Sequence, residues 1–262
     1  MSRPGQAPVQ DQTEQTMPRT VLVIGGTGGI GEATCLQLAK DGFRVVIHFN
    51  KNKKKAEQIK AQVEELGQEA MIVSANILSE SEIKEMVAKS VRAFGTIDVL
   101  VNCAASVIPN IRFQDLVWDD YLKQLELNIK STFHLIKEIA PLMIKNGYGK
   151  IINIGSLAAD KPNSEWSHYI TAKSAMVGFT RSLALELAPK GIRVNMVTPS
   201  LISTELTADV PEKTKLVTAV QTPLRRLALA TDVAGTIGFL ASDKSNFITG
   251  ENIRINGGQV ML

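Results

Sequence analysis

Short apolar runs alternate along the chain with longer stretches in which apolar residues recur every three or four positions. The short runs are rich in Val and Ile and predict strands of a parallel sheet, because such strands are buried on both faces. The longer stretches predict amphipathic helices. Predicted strands lie at 20–24, 44–49, 69–75, 98–102, 150–154, 192–197 and 252–255. Predicted helices lie at 29–41, 52–66, 79–94, 115–130, 131–145, from 166 onward and at 232–241.

The strict alternation of strand and helix predicts the fold class. Each right-handed crossover places a helix on one face of a parallel sheet, so we expect an α/β fold with a doubly wound, seven-stranded parallel sheet of the Rossmann type. One domain is expected over residues 19–262. Residues 1–18 carry almost no apolar side chains and predict a flexible tail. The stretch that follows the sixth strand, up to Leu227, is predicted to be irregular, and its part at 200–220 is expected to be a mobile lid.

Composition narrows the function classes. Of the 262 residues 44% are hydrophobic and 21% are charged, and the net charge is +3 with a sequence pI of about 8.8. So mild a positive charge, without a basic stripe interleaved with aromatic residues, argues against nucleic acid as a partner. No apolar run approaches the ~18 residues that cross a bilayer. Cys35 and Cys103 have neither metal-ligand nor disulfide spacing, so we expect no metal, no membrane contact and a reducing, cytoplasmic setting.

A glycine-rich turn follows the first predicted strand and opens the first predicted helix. Its residues are Gly25, Gly26, Thr27, Gly28, Gly29, Ile30 and Gly31. Glycines at this place let backbone N–H groups approach a pyrophosphate, and the N-terminus of the following helix adds partial positive charge. A purely structural turn is the less favoured alternative, because dinucleotide sites use this strand-turn-helix context. The turn therefore predicts a bound dinucleotide.

Tyr169 and Lys173 lie four residues apart near the start of a predicted helix, so both side chains project from one face. An ammonium beside a phenol favours the phenolate and is expected to lower the tyrosine pKa, which makes tyrosine usable as an acid near neutrality. Ser156 follows the strand at 150–154, where a side chain can meet a ligand in an open α/β sheet. Taken alone, the Tyr-Lys pair has an alternative interpretation as a surface pair on a helix.

Several motifs agree in order and spacing with one enzyme family. The glycine spacing is Gly-x-x-x-Gly-x-Gly, Ser156 stands thirteen residues before Tyr169, and Lys173 completes Tyr-x-x-x-Lys. Further matches are Asn102-Cys-Ala-Ala105, Asn128, and Ile192-Arg-Val-Asn195 leading to Pro199. From about Thr20 onward the chain therefore resembles the short-chain dehydrogenase/reductase family, in its single-domain branch.

That resemblance implies a catalytic tetrad. Its members are Asn128, Ser156, Tyr169 and Lys173. Tyr169 would be the general acid in carbonyl reduction, Ser156 would orient and polarise the carbonyl, and Lys173 would lower the tyrosine pKa and hold the nicotinamide ribose. Asn128 would hold a water behind the lysine. Its alternative role is that of a helix asparagine bonded locally to backbone.

The resemblance also implies a nicotinamide cofactor, whose type depends on the end of the second strand. NAD enzymes place Asp or Glu there, and the carboxylate repels a 2′-phosphate. No acid occurs between His48 and Ala56. The residues expected to bind the cofactor there are Asn50, Lys51, Asn52 and Lys53. Pairing of these lysines with the extra phosphate favours NADP(H), and the alternative is a set of solvated lysines without a ligand.

The remaining cofactor contacts that the resemblance implies follow other strands or lie on the catalytic helix. They are Asn76, Ile77, Asn102, Ala104, Ala105, Tyr169, Lys173, Pro199, Ile202 and Thr204. Asn76 stands where many relatives carry an aspartate that meets the adenine amino group. Ala105 and Ser200 each replace a glycine of the family pattern, which leaves less room beside the ribose and stiffens the turn near the nicotinamide.

The segments 222–226 and 248–258 resemble the 3-oxoacyl-(acyl-carrier-protein) reductases of this family. The leading hypothesis is therefore NADPH-dependent reduction of a 3-oxoacyl thioester to a secondary alcohol, in fatty-acid or polyketide-type synthesis, by a homotetramer. One alternative is a dehydrogenase or reductase of a free sugar, cyclic or steroid-like alcohol or ketone. Another is a non-catalytic NADP-binding regulatory protein. An enoyl reductase is less expected, because its lysine generally lies further from the tyrosine.

Some of these reductases dock an acyl carrier protein through basic residues beside the active-site mouth. Lys190 stands at one such position in the chain. Gly147 occupies another, with Lys145 and Lys150 nearby. The resemblance therefore allows an acyl carrier protein as a partner without requiring it.

Overall fold

A computed structural model describes residues 18–261, apart from the side chain of Leu206. The predicted tail at 1–18 therefore lies outside the described residues, except for Pro18. All seven predicted strands form. Their bounds are β1 Thr20–Ile24, β2 Arg44–Phe49, β3 Ala70–Ser74, β4 Val99–Asn102, β5 Gly149–Ile154, β6 Ile192–Pro199 and β7 Asn252–Ile255. The helices are α1 Gly29–Lys40, α2 Lys53–Glu65, α3 Glu80–Phe94, α4 Trp118–Leu125, α5 Ser131–Asn146, α6 Ser167–Leu187, α7 Glu212–Gln221 and α8 Ala230–Ala241.

The strands form one parallel sheet in the order β3-β2-β1-β4-β5-β6-β7, which confirms the predicted fold class. The direction of strand order reverses at β1, whose neighbours are β2 and β4. Ile24 pairs with Asn102, and Asn102 pairs with Asn153, so the segments that leave β1, β4 and β5 emerge side by side. In open α/β sheets, ligands bind beyond the carboxyl ends of the strands at such a reversal.

Two apolar cores cover the two faces of the sheet. Val45 and Ile47 belong to one core and Val46 to the other, because successive side chains along a strand point to opposite faces. Helices α1, α2 and α8 contribute to the first core, and α3, α5 and α6 to the second. The sheet is therefore covered on both faces, as a doubly wound fold requires.

The stretch predicted to be irregular after β6 contains a helix. Helix α7 begins after Pro211, whose carbonyl oxygen accepts the N–H of Thr214 at 2.8 Å. No residue of α7 is buried in the chain, so its apolar residues do not form a stripe facing the core. The prediction of irregular structure was wrong here, because helical periodicity is strongest where one face packs on a core.

The helix predicted at 115–130 is divided into two parts. Helix α4 begins only at Trp118, and Asp115 belongs to a separate 3-10 turn. From Glu126 to Lys130 the helix widens into a π turn before it continues as α5. Turns of this kind occur frequently at functional sites, and this one carries Asn128.

Among residues 18–261, no helix has both the length and the apolar character needed to cross a membrane. Within the same residues, no group of three or more His, Cys, Asp or Glu side chains is placed to hold a metal ion. Cys35 and Cys103 both carry free thiols.

Lys150, near the start of β5, is a buried cation with a shifted pKa. It is 1% exposed, and its Nζ donates to Asn246 Oδ1 at 2.7 Å and to Ser245 Oγ at 3.1 Å. Burial lowers the pKa of Lys150 from 10.5 to about 8. Between these two pH values the unfolded chain binds a proton that the folded chain lacks, so the free energy of unfolding rises with pH.

Replacing Lys150 with Met is expected to remove this contribution. The free energy of unfolding should then rise less steeply between pH 8 and 10 than in the unsubstituted protein, by at most about 1.4 kcal/mol per pH unit. Urea unfolding at several pH values gives the slope of the free energy of unfolding against pH for each protein. Subtracting one slope from the other removes the contribution of groups that titrate equally in both. Parallel slopes would show that Lys150 keeps its proton throughout this range.

Candidate active site

The glycine turn between β1 and α1 is packed too closely to accept side chains. Gly25 has a φ of +69°, in the left-handed region that glycine adopts without strain. A Cβ on Gly25 would lie 2.9 Å from the carbonyl oxygen of Cys103, and one on Gly31 would lie 2.1 Å from the carbonyl oxygen of Gly25. No side-chain hydrogen bond caps the start of α1, and free N–H groups at a helix N-terminus are what a pyrophosphate requires.

Ser156 lies just beyond the end of β5, at the same edge of the sheet as the glycine turn. Its Oγ accepts the N–H of Ala158 at 3.2 Å, at the start of a short 3-10 turn. Asp160, which ends that turn, forms an ion pair with Arg254 of β7, with Nε and Oδ2 2.6 Å apart. The segment that carries Ser156 is therefore tied to the sheet at both ends.

Tyr169 and Lys173 share one face of α6. Lys173 is 5% exposed, and its Nζ donates to the carbonyl oxygen of Ile154 at 2.8 Å. The same Nζ lies 5.9 Å from the centre of the Tyr169 ring. Burial lowers the pKa of Lys173 to about 8, although the Cys103 thiol acts in the opposite direction. Lys173 thus ties α6 to the end of β5 beside Ser156.

The pKa of Tyr169 moves in the direction opposite to the prediction. Burial raises it, because the phenolate loses solvation, and the Ser156 hydroxyl lowers it in part. The Lys173 ammonium, which donates to the Ile154 carbonyl oxygen, does not contribute to this shift of the Tyr169 pKa. Tyr169 is therefore protonated at neutral pH, the form that a general acid requires.

Trp166 forms a wall beside Tyr169. The two rings meet edge to face with their centroids 5.9 Å apart, and the indole N–H donates to Asn110 Oδ1. Glu165 has a φ of +67°, a backbone conformation that costs energy for a residue with a side chain. Its carbonyl oxygen accepts the N–H of Ile111 at 3.1 Å. The segment after β4 and the start of α6 are therefore joined next to Tyr169.

Asn128 lies in the middle of the π turn and is 5% exposed. Its Nδ2 donates to the carbonyl oxygen of Gln124 at 2.9 Å. The backbone carbonyl oxygen of Asn128 accepts a hydrogen bond from the Thr132 hydroxyl at 2.5 Å. The local bond to backbone, which the sequence left as an alternative, is present. Within the described part of the chain no group donates to the side-chain Oδ1 of Asn128.

Several side chains predicted to contact the cofactor are engaged elsewhere. Ile77 and Ile202 are 8% and 4% exposed and belong to the two apolar cores. Asn102 donates to Thr132 Oγ1 at 2.7 Å and accepts the N–H of Ala104 at 3.3 Å. Because both side chains are buried in the cores, the backbone groups of Ile77 and Ile202 are what they can offer a ligand, and their contact with the cofactor stays a prediction. Asn102 acts as a scaffold beneath the crevice.

Other predicted contacts lie at the surface of the crevice. Thr204 touches the glycine turn, since a Cβ on Gly29 would lie 2.6 Å from its Cγ2. Asn76 is exposed, and its Oδ1 accepts the N–H of Leu78 at 3.0 Å while its own N–H donates to Glu82 at 2.7 Å. The segment after β6 and the turn after β3 therefore border the same edge of the sheet as the glycine turn.

The lysines after β2 differ in whether a carboxylate forms an ion pair with them, and at what distance. Lys53 Nζ lies 3.6 Å from Glu57, and Lys55 Nζ lies 2.7 Å from Glu32 in the first turn of α1. Lys51 is exposed and forms no ion pair with any residue that the structure describes. Among the lysines predicted to bind the cofactor, Lys51 therefore has no carboxylate that competes with an added phosphate in the described part of the chain, and Lys53 has a weak competitor.

The lysines considered for carrier docking lie at the amino ends of the strands, opposite the end of the sheet where Ser156 lies. Lys190 precedes β6 and Lys145 precedes β5, so both lie near the amino ends of strands, whereas Ser156 follows a carboxyl end. The ammonium of Lys150 is buried. The prediction that these lysines lie beside the active-site mouth is therefore wrong within a single chain, because the parallel strands separate the two edges.

His48 is a residue in contact with the site that the sequence analysis did not select. It is 3% exposed on β2, and its Nδ1 accepts the N–H of Gly25 at 3.0 Å. The available signal is a histidine inside an otherwise apolar strand, where a buried polar side chain needs hydrogen-bond partners. The pattern alone does not reveal which partners those are.

Comparison with known proteins finds relatives that match nearly the whole chain. A sequence model described as enoyl-(acyl carrier protein) reductase matches residues 25–259. The 3-oxoacyl-(acyl-carrier-protein) reductase of Staphylococcus epidermidis is 36% identical over 247 residues, which cover 94% of this chain and 100% of the relative. The acetoacetyl-CoA reductase of Allochromatium vinosum is 33% identical over 94% of this chain and 100% of the relative. A crystal structure of NAD⁺-bound xylitol dehydrogenase has a TM-score of 0.85 and 33% identity, over 92% of this chain and 98% of that one.

Proposed function

Because the chain belongs to the short-chain dehydrogenase/reductase family of nicotinamide-dependent oxidoreductases, we propose that it reduces the 3-oxo group of an acyl thioester with NADPH. Action on CH–OH or C=O groups follows from the family. The observation that carries the proposal is that Ser156, Tyr169 and Lys173 lie together beside the glycine turn. The thioester is supported by relatives that are named as 3-oxoacyl-(acyl-carrier-protein) and acetoacetyl-CoA reductases.

The residues around the crevice fit a dinucleotide. Gly25 and Gly31 allow close backbone packing in the turn, and Thr204 of the segment after β6 lies against Gly29. We propose that the turn binds the pyrophosphate and that Lys173 holds the hydroxyls of the nicotinamide ribose. When bound, the reduced nicotinamide supplies the hydride.

Two hydroxyl groups are proposed to act on the substrate oxygen. Tyr169 is protonated at neutral pH and donates its proton as the carbonyl oxygen gains negative charge. Ser156 Oγ accepts the N–H of Ala158, and its O–H, which already lowers the Tyr169 pKa, would donate to the same substrate oxygen. Asn128 would hold a water behind Lys173 through its side-chain Oδ1.

The residues that cover the substrate are proposed to come from two segments. Trp166, fixed by Asn110, supplies an aromatic wall on one side. On the other side, the segment 200–220 would act as a lid, and α7 within it presents exposed Leu216 and Val220. Apolar side chains on a lid suit the acyl part of a thioester, because closure removes apolar surface from water.

The preference for NADPH rests on charge at the end of β2. No carboxylate stands between His48 and Ala56 to repel a 2′-phosphate, and Lys51 is exposed without an ion-pair partner among residues 18–261. A lysine ammonium and a phosphate form a charge-assisted hydrogen bond. Lys55 is the least available lysine of the group, because Glu32 already pairs with it at 2.7 Å.

Replacing Lys51 and Lys53 together with Ala is expected to raise the KM for NADPH about ten-fold or more, because charge-assisted bonds to the 2′-phosphate are lost. The KM for NADH should change by less than about two-fold. Steady-state kinetics with both cofactors measure the difference, and Lys60→Ala, further along the same helix, serves as the control. Equal changes for the two cofactors would contradict the assignment of NADP(H).

Parallel assays with different substrates test the proposed reaction. The purified protein is mixed with NADPH and an acetoacetyl thioester, a set of free ketones and sugars, or a crotonyl thioester, and the absorbance of the reduced nicotinamide is followed. The proposal expects oxidation of NADPH with the acetoacetyl thioester and little with the other compounds. Turnover restricted to free ketones or sugars would instead support the second candidate, a dehydrogenase or reductase of free alcohols and ketones, which the similarity to xylitol dehydrogenase favours.

Two further alternatives have distinct signatures in the same assay. Turnover of the crotonyl thioester alone would support an enoyl reductase, the activity in the description of the matching family model. The three-residue gap between Tyr169 and Lys173 argues against that activity. Tight binding of NADPH without any turnover would identify a regulatory protein. The intact set of Ser156, Tyr169 and Lys173 argues against this alternative.

The proposed reductase is expected to act as a homotetramer. Large apolar side chains stay exposed on the single chain, among them Trp118, Leu185 and Phe247. Large apolar side chains that a single chain leaves exposed are candidates for contacts between subunits. Light scattering should therefore report about four times the 28.4 kDa mass of one chain, and the mass of one chain would contradict the prediction. Docking of an acyl carrier protein and a cytoplasmic location stay predictions from the sequence.

A further inference from the structure

The imidazole of His48 bridges two segments that border the proposed cofactor site. Its Nδ1 accepts the N–H of Gly25 at 3.0 Å, and its Nε2 lies 2.9 Å from the carbonyl oxygen of Ala75. A carbonyl oxygen can only accept, so Nε2 carries a proton. Gly25 N–H can only donate, so Nδ1 carries none. The two contacts together require the neutral Nε2–H tautomer of His48.

The bridge joins the beginning of the glycine turn to the end of β3. The backbone of His48 adds to it, because the N–H of Gly26 donates to the His48 carbonyl oxygen at 2.8 Å. On the other side, the N–H of Ala75 donates to the Phe49 carbonyl oxygen at 3.3 Å. Ala75 directly precedes Asn76, the expected contact to the adenine. The buried imidazole of His48 thus links the glycine turn, which is proposed to bind the pyrophosphate, to the segment with Asn76, which is expected to contact the adenine.

The surroundings of His48 keep the ring neutral. It is 3% exposed, and burial lowers its pKa below the ordinary value, while the bond to Ala75 acts in the opposite direction. No charged side chain in the described part of the chain contributes to this shift. A second proton would place Nδ1–H against the N–H of Gly25, so the neutral ring is also the only form that fits both contacts.

We propose that His48 is a positioning residue for the dinucleotide: the neutral imidazole fixes the glycine turn against the end of β3 and so sets the affinity for the adenosine and pyrophosphate part of the cofactor. The inference rests on the proposed function only in that a dinucleotide binds the glycine turn. It concerns binding and not the chemical step. It therefore applies equally to NADH and NADPH, because both share this part of the molecule.

Two substitutions distinguish the effect of the His48 hydrogen bonds on cofactor affinity from the effect of its side-chain volume. His48→Leu removes both hydrogen bonds and is expected to raise the Kd of NADH and of NADPH about ten-fold each, with kcat at saturating cofactor within about two-fold of the unsubstituted protein. His48→Asn keeps an acceptor near the position of Nδ1 and is expected to hold both Kd values within about three-fold. His134→Asn on α5, whose ring lies 3.8 Å from Glu80, is the control and should leave both values unchanged.

The outcomes of the binding experiment are distinguishable. A folded His48→Leu protein with unchanged Kd values would overturn the inference, and so would an equal loss of affinity in His48→Leu and His48→Asn. Failure of the unsubstituted protein to bind either dinucleotide would instead contradict the proposed function. Loss of affinity for NADPH alone would point to the 2′-phosphate and not to the shared part of the cofactor, and would likewise overturn the inference.

Nuclear magnetic resonance keeps the proposal testable if His48→Leu does not fold. The chain has three histidines, so the ring nitrogens of His48 are assigned by comparison with the His134→Asn protein and with His48→Asn. The expected result at neutral pH is a protonated Nε2 and an unprotonated Nδ1. An Nδ1–H tautomer, or a charged ring, would overturn the proposal, because neither can accept the N–H of Gly25.

Discussion

Replacing Tyr169 with Phe is expected to lower kcat for carbonyl reduction by about 10²–10⁴-fold, while the Kd for NADPH stays within about two-fold. The phenol oxygen is the only atom removed, and it is the proposed proton donor. The ring that remains can still pack edge to face on Trp166, where the centroids are 5.9 Å apart. Steady-state rates at saturating cofactor measure the loss, and quenching or enhancement of nicotinamide fluorescence measures the affinity.

Tyr121→Phe provides the matched control. Tyr121 lies on α4, and its hydroxyl is 2.9 Å from Ser167 Oγ at the start of α6. The same hydroxyl group is removed, but its partner is Ser167 and not Ser156, so kcat should stay within a few-fold. Turnover by Tyr169→Phe at the rate of Tyr121→Phe would show that another group supplies the proton.

Replacing Gly31 with Ala is expected to abolish measurable dinucleotide binding and to destabilise the fold by about 1–3 kcal/mol. The added Cβ would lie 2.1 Å from the carbonyl oxygen of Gly25 and 2.9 Å from the Cα of Gly26. Both contacts are to backbone, so relief requires the turn to move away from α1. Fluorescence titration with NADPH and urea unfolding measure the two losses separately.

Gly235→Ala on α8 tests whether the effect is specific to the turn. A Cβ on Gly235 would meet no atom within 4 Å, and alanine is favoured over glycine inside a helix by about 0.5–1 kcal/mol. This protein should therefore be slightly more stable and bind NADPH normally. Normal binding by Gly31→Ala as well would contradict the assignment of the pyrophosphate to the glycine turn.

The strands and their order of appearance could be predicted from the sequence because a buried parallel strand is an almost uninterrupted apolar run. The strands at 20–24, 44–49 and 252–255 were predicted with the bounds that the structure has. Helix α7 could not be predicted in this way, since none of its residues is buried. Its place in the chain depends on contacts that leave no periodic pattern.

In the candidate site, too, the properties of a single helix could be predicted from the sequence, whereas contacts between elements could not. The spacing of Tyr169 and Lys173 determines that they share a helix face, which is a local property. The direction of the Tyr169 pKa shift depends on burial and on Ser156 from a different element, and the Lys173 ammonium is held by Ile154 of β5. His48 of β2 joins the turn after β1 to the segment after β3. Contacts across elements of this kind are absent from any single stretch of sequence.

The central claim is that Tyr169 and Ser156 act together on the oxygen of a thioester substrate beside the nicotinamide. A crystal structure of the protein with NADP⁺ and a 3-hydroxyacyl thioester tests it most directly. The account predicts that the substrate 3-oxygen lies within about 2.6–3.2 Å of both the Tyr169 and the Ser156 hydroxyl oxygens. A substrate oxygen bound out of reach of Tyr169, with the nicotinamide ring turned away from it, would contradict the account.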